Sequence, residues 1–391
     1  MKTIVAVACG VRQSGGSFQY ASGILEILSQ LPKDAYDVRF VYTSTEWQEV
    51  AASFGIRAYF LPTGGIFFRI VRKLLKIWLA IFPKSTLERF STLDRVKYEI
   101  YRAKPDICIC LEQNYIPVHE ETTLIAPIHD IMHRYESRFP EVGTVQEYVA
   151  REFLAQHLVR EASVLVDSNV GKAQLIECYS CAPEHIHVLP FTASVLLSGV
   201  ARKPRELAIG PDVPFVFYPA QFWLHKNHCA LVKALALLPQ ELKLHAVFVG
   251  STNKEGFKAT EACIAAHGLA DRVHVLGYVT DAEVQWLYQH AACMVMPSFF
   301  GPTNIPPLEA MRAGCPVAVA KVYGNMEQLG DAALFFDPHS PEEVAACITS
   351  IMTDSALRTS LVNAGYFLSE KWNAAAFKAR FKSILEDIIR I

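Results

Sequence analysis

Short, fully apolar runs alternate along nearly the whole chain with longer stretches whose apolar residues recur every three or four positions. A compact run of β-branched and aliphatic residues reads as a strand, and the longer period as an amphipathic helix. Strands are expected at 3–9, 37–43, 57–61, 106–111, 123–128, 163–167 and 186–189. A second series follows at 215–219, 244–249, 273–277, 293–297, 316–320 and 333–336. Helical stretches such as 19–30, 144–161, 227–238, 281–290 and 341–353 fall between them. Strands apolar on both faces and separated by helices indicate parallel sheets covered on both sides. Between the two series, residues 199–214 carry Arg202, Lys203, Pro204, Arg205, Pro211 and Pro214 without periodicity and read as a linker. The expected class is α/β, with one doubly wound domain over 1–198 and another over 215–371.

Length agrees with this division, because single cores stop growing beyond roughly 250–300 residues and the chain has 391. With 51% hydrophobic and 19% charged residues, the chain has too much apolar mass to stay disordered. The net charge of −2 excludes a globally basic nucleic-acid binder, so no nucleic-acid partner is expected. Most of the ten cysteines sit in apolar runs such as Ile107 to Cys110, where the thiol is a small buried hydrophobe. Cys178 and Cys181 form a C-x-x-C pair, read as structural, with metal or redox use as the alternative. This cysteine usage suits a reducing, cytoplasmic compartment. The apolar run from Thr3 to Cys9 is short and Arg12 interrupts it, which favours a first buried strand over a signal segment. No segment offers the ~20 uninterrupted apolar residues of a spanning helix. Residues 67–82 place Arg69, Arg72, Lys73 and Lys76 on one helical face opposite a wide apolar face with Trp78. Such a helix either lies in a membrane interface or packs on its own sheet.

In doubly wound sheets ligands bind beyond the carboxyl ends of the strands, so the residues just after each strand are the candidates. After 293–297 a Gly/Pro loop runs through Gly301, Asn304 and Ile305 into a helix that opens near Pro306, whose N–H groups can hold a phosphate. Glu309 in that helix either grips a vicinal diol or is simply a favourable acid near a helix N-terminus. Lys226 follows 215–219 and is either a point charge for a diphosphate or a solvated lysine. The glycines Gly15 and Gly16 after the first strand allow a close backbone approach or form a plain connector. His129, beside Asp130 at the end of 123–128, either orients a hydroxyl or is structural. Ser168 reads as the cap of a following helix.

The segment Ile305-Pro-Pro-Leu-Glu309-Ala-Met-Arg-Ala-Gly-Cys-Pro-Val317 resembles the nucleotide-sugar site of retaining glycosyltransferases with the GT-B fold, of glycosyltransferase family four. The resemblance implies two Rossmann-like domains facing each other across a cleft, with the helical stretch 372–391 returning to the first. It implies a metal-independent retaining hexosyltransferase with no cofactor, using a nucleoside-diphosphate sugar and a glycan or lipid-linked acceptor. Mannose and bacterial surface-polysaccharide or lipopolysaccharide synthesis are favoured, with peripheral membrane contact through 67–82. His129 and Lys226 carry over as catalytic. Gly15, Gly16, Gln221, Tyr278, Asn304, Ile305, Glu309 and Glu327 carry over to the donor side, and His133 and Arg134 to the acceptor side. Two positions depart from the pattern. Gly301 stands where the family has a sugar-binding glutamate, and Gln221 where it has a diphosphate-binding arginine. Those departures motivate a non-catalytic sugar-nucleotide-binding subunit as the alternative, and a sugar-nucleotide epimerase shares the two-domain shape. The chain contains no Asp-x-Asp pair, so charge on the leaving diphosphate must be met by Lys226 and helix N-termini.

Overall fold

The computed structural model describes residues 1–10, 16–61, 95–192, 200–210, 212–301 and 304–390. The 67–82 segment and Gly15 lie outside the described residues, as do Gly199 and Pro211 of the expected linker.

The first sheet has seven strands: β1 (Lys2–Ala8), β2 (Tyr36–Tyr42), β3 (Arg57–Phe60), β4 (Ile107–Cys110), β5 (Thr123–Pro127), β6 (Ala162–Val166) and β7 (Ile186–Val188). They run in the order β3-β2-β1-β4-β5-β6-β7, all pairs parallel. The second sheet has six: β8 (Phe215–Pro219), β9 (His245–Val249), β10 (Val273–Val275), β11 (Cys293–Met296), β12 (Val317–Ala320) and β13 (Leu334–Phe336). Their order is β10-β9-β8-β11-β12-β13, again wholly parallel. Each strand expected from the apolar runs is present, with its ends shifted or trimmed by one or two residues.

Central strands such as β4, β11 and β12 are buried at every residue, as parallel strands covered by helices on both faces must be. In both sheets the strand order reverses beside the first strand, between β1 and β4 and between β8 and β11. Loops leaving the two sides of such a switch point diverge and open a crevice. The chain thus builds two crevices, and the cleft forms where they face each other.

Helix Ala374–Arg390 follows the second sheet in sequence, yet its Phe377, Phe381, Ile384, Leu385 and Ile388 join the buried cluster of the first domain. It packs on helix Gly16–Ser29, where a side chain at Gly23 would stand 3.1 Å from the Phe377 ring. The two domains are therefore tied at both ends of the second one. Phe381 is 0% exposed, so Phe381→Ala should cost about 3–5 kcal/mol by lost burial and cavity formation. Urea unfolding of the purified chain measures this, and an unchanged midpoint would contradict the packing role of the terminal helix.

Candidate functional site

The loops beyond the carboxyl ends of both sheets enclose a cavity of about 920 Å³ between the domains. Gly16 follows β1, His129 and Asp130 follow β5, and Asp167 follows β6. From the other side come Lys226 after β8, Lys254 after β9, and Gly301, Asn304 and Ile305 after β11. The walls differ in charge. The first domain contributes Asp130, Glu141, Glu147 and Asp167, with Arg151 paired to Asp130 at 3.1 Å. The second contributes Lys226 and Lys254, with Glu255 beside them.

His129 is fixed by its surroundings. Its Nδ1 lies 3.1 and 3.2 Å from the two oxygens of buried Asp167, and its ring stacks on Phe191 with centroids 5.2 Å apart. A carboxylate only accepts, so the Nδ1 position carries the proton and Nε2 presents a lone pair in the neutral ring. That Nε2 is buried with no hydrogen-bond partner among the described residues. Burial alone would lower the imidazole's pKa, but the Asp167 charge and hydrogen bond outweigh it and raise the value above the ordinary one.

Across the cleft, the turn Leu224–Lys226 ends β8's loop and is closed from Trp223, whose carbonyl accepts the Lys226 N–H at 3.0 Å. The Lys226 ammonium has no ion-pair or hydrogen-bond partner among the described residues. Burial lowers its pKa to about 8, against the pull of Asp130 and Glu141. His225 beside it stacks on Phe300 at 4.0 Å. Burial, aided by the Lys226 charge, brings its pKa down to about 4, so it is neutral near pH 7. The imidazole and the His225 backbone N–H instead face Glu141 of the first domain, at 3.3 and 3.2 Å. The other Glu141 oxygen is buried without a partner among the described residues.

Gly301 and Asn304 share one space. A side chain built at Gly301 would meet the Asn304 amide at 2.8 Å, and Gly301 has φ +156°. Asn304 is held by neutral amides: its N–H donates to Gln328 Oε1 and its Nδ2 to Asn325 Oδ1, both at 2.9 Å. Ile305 reaches across to Gly16, where an added Cβ would stand 2.8 Å from its Cδ1.

Other candidate residues sit away from the cavity. Glu327 accepts hydrogen bonds from Asn169 N (2.9 Å), Asn169 Nδ2 (2.7 Å) and Val170 N (3.1 Å), so it clasps a first-domain helix start. His133 is buried against Glu152 at 3.0 Å, and Arg134 grips the same carboxylate through two nitrogens while covering the Tyr179 ring. These two form a structural knot behind the wall. Tyr278 is 82% exposed and Gln221 is half-buried, neither lining the cavity. Glu141, Asp167, Trp223 and Lys254 line it but had no role in the sequence reading. The signal for Asp167 was its place just after a strand.

Glu309 is buried one turn behind Ile305, with its carboxylate accepting from Tyr288 Oη at 3.1 Å. Burial pushes its carboxyl up to about 7, with the Tyr288 bond pulling the other way. In the unfolded chain the group ionises near 4.5. Between that pH and about 7 the unfolded state gives up a proton that the folded state keeps, so this group's contribution to stability falls as pH rises through the window. Glu309→Gln removes the penalty. The variant should gain on the order of 1–3 kcal/mol over the parent at about pH 8, and little near pH 4.5. Urea titrations at both pH values check this, and equal differences would rule out burial as the cause.

Among the described residues no group of three or more His, Cys, Asp or Glu is placed to hold a metal ion, and no helix is long and apolar enough to cross a membrane. Residues 200–368 match the family model Glycosyl transferases group 1. The O-antigen chain mannosyltransferase B of Escherichia coli is 32% identical over 139 residues, 34% of this chain and 35% of that protein, so the match spans about a third of its length. The D-inositol 3-phosphate glycosyltransferase of Corynebacterium glutamicum (strain R) is 25% identical over 97% of this chain and 93% of its own. The crystal structure of Anabaena Alr3699/HepE in complex with UDP and glucose superposes with a TM-score of 0.73 at 17% identity, covering 99% of this chain and 100% of that one. The match to the group 1 model is confined to residues 200–368, and the two parallel-sheet domains together have the GT-B fold.

Proposed function

We propose that the protein is a retaining, metal-independent hexosyltransferase that moves a sugar, mannose by preference, from a nucleoside diphosphate to a hydroxyl of a glycan or lipid-linked acceptor. The single observation that carries this reading is Lys226, an ammonium without an anionic partner among the described residues, lining the same cleft as the unpartnered Nε2 of His129. A half-buried cation left unpaired is poised for a ligand anion, because pairing restores what partial desolvation takes away. The mannosyltransferase relative supports the sugar, and the UDP-bound GT-B neighbour supports a nucleotide donor.

Bond cleavage at the anomeric carbon leaves its electron pair on the departing phosphate oxygen, where Lys226 meets the growing charge. The acceptor hydroxyl attacks from the same face, and its proton passes to that phosphate oxygen, which gives retention without a covalent intermediate. His129, its Nδ1–H held by Asp167, presents Nε2 to a donor-sugar hydroxyl, accepting from it in the neutral ring and donating to it in the protonated one. Glu309 is assigned to the ribose on the resemblance, with support from a buried carboxylate whose one protein partner is the Tyr288 hydroxyl. The carboxylates of the first-domain wall suit a polyhydroxyl acceptor. Work on a lipid-linked acceptor would place the enzyme in the cytoplasm at the inner membrane face.

A panel of nucleoside-diphosphate sugars with oligosaccharide and polyprenyl-linked acceptors, scored by released nucleoside diphosphate and by the anomeric proton of the product, tests the proposal. Lys226→Met should lower turnover about 10²–10³-fold, as expected for removing one preorganised charge from a reacting centre. Because only the ammonium form pairs with the diphosphate, donor affinity should be flat below about pH 8 and fall above it. Undiminished turnover of Lys226→Met, or binding of nucleotide with no transfer to any acceptor, would end the proposal.

A further inference from the structure

The second-domain wall contains another cation that no part of the scheme above uses. Lys254 lines the cavity from the loop after β9, and its ammonium lies 3.9 Å from the centre of the Trp223 ring. A cation over an indole is held by the ring's negative face, and this contact leaves the ammonium's outer side toward the cavity free for an anion. No carboxylate among the described residues forms an ion pair with it.

Its position is tied to that of Lys226. Trp223 is the residue whose carbonyl closes the Leu224–Lys226 turn. Helix Glu255–Ala266 starts immediately after Lys254 and is pressed onto the same segment: a side chain at Gly256 would meet the Phe222 carbonyl oxygen at 2.5 Å and the Trp223 carbonyl carbon at 2.8 Å. One rigid junction therefore presents two lysines to one cavity. The opposite wall carries Asp130, Glu141 and Asp167, so an anion entering the cleft is drawn to the lysine side.

We propose that Lys254, held over Trp223, is the second binding cation for the donor diphosphate. This assignment rests on the nucleoside-diphosphate reading above. Two ammonium groups reached from different loops can contact different phosphates of one diphosphate. A nucleoside monophosphate should depend on Lys254 less.

Titration calorimetry of the full chain with UDP, GDP, ADP and dTDP, and with the matching monophosphates, tests the assignment. Lys254→Met keeps the hydrophobic stem and removes the charge. It should weaken the bound diphosphate roughly tenfold, the loss expected for one charge-assisted hydrogen bond, and flatten the salt dependence of binding. Lys254→Arg, which keeps both charge and stacking, should bind near the parent level, and Trp223→Leu should lose part of the affinity. Thermal melting of each variant separates these effects from misfolding. Diphosphate affinity and salt slope of Lys254→Met equal to the parent's would overturn the role of Lys254 while leaving the donor reading intact. A parent that binds none of the four diphosphates would overturn the donor reading, and Lys254's role with it.

Discussion

The cleft exists because each domain offers a carboxylate to the backbone N–H groups of the other. Glu327 of the second domain accepts from Asn169 and Val170 at the start of helix Asn169–Tyr179. Glu141 of the first accepts from His225 at the start of the Leu224–Lys226 turn. An anion at a helix start meets unpaired donors and the positive end of the helix dipole together, so such contacts are both directional and favourable. An aromatic cluster of Phe139, Phe299 and Phe300 packs together next to this contact, with the His225 ring stacked on Phe300. With these contacts made, the carboxyl ends of both sheets face one another, and the loops at the two switch points become the walls of one cavity.

This arrangement separates the charges by domain. Glu141 is drawn toward His225, yet the imidazole stays neutral because burial and the neighbouring ammonium both oppose its protonation. The contact is therefore a neutral donor to a carboxylate, and it does not cancel the charge of Lys226. Burial also penalises the ionisation of that lysine and brings its pKa to about 8. A site that keeps a cation short of partners holds free energy in reserve for an anionic ligand.

The architecture was legible because its strands are extreme: Ile107 to Cys110 and Cys293 to Met296 are apolar at every position, as only a doubly covered strand is. Helix Glu255–Ala266 was not, since the residues it buries are Gly256, Thr260 and Cys263, a small and partly polar face that leaves no apolar period. The candidates that meet in the cavity, namely Gly16, His129, Lys226, Asn304 and Ile305, all lie just beyond strands, where topology alone predicts convergence. The short helix Met132–Tyr135 turns His133 and Arg134 from His129 toward Glu152, a placement that closeness in sequence does not convey. Glu141 follows no strand, sitting in the short helix Pro140–Gly143, and its role needs the second domain in place. Lys254 lies in a polar run, Ser251 to Glu255, that reads as any surface loop until Trp223 is seen beneath it.

Space and hydrogen bonding together fix the character of the second-domain wall at Gly301. The Asn304 amide occupies the position a side chain at 301 would need. Asn304 is itself locked by Asn325 through its side chain and by Gln328 through its backbone, in a buried network with neutral partners. A carboxylate added at 301 would have to displace that amide and stand facing the acidic first-domain wall. A buried polar network left half satisfied is costly, so a glycine beside a locked amide keeps this part of the wall neutral and leaves its positive charge to Lys226 and Lys254.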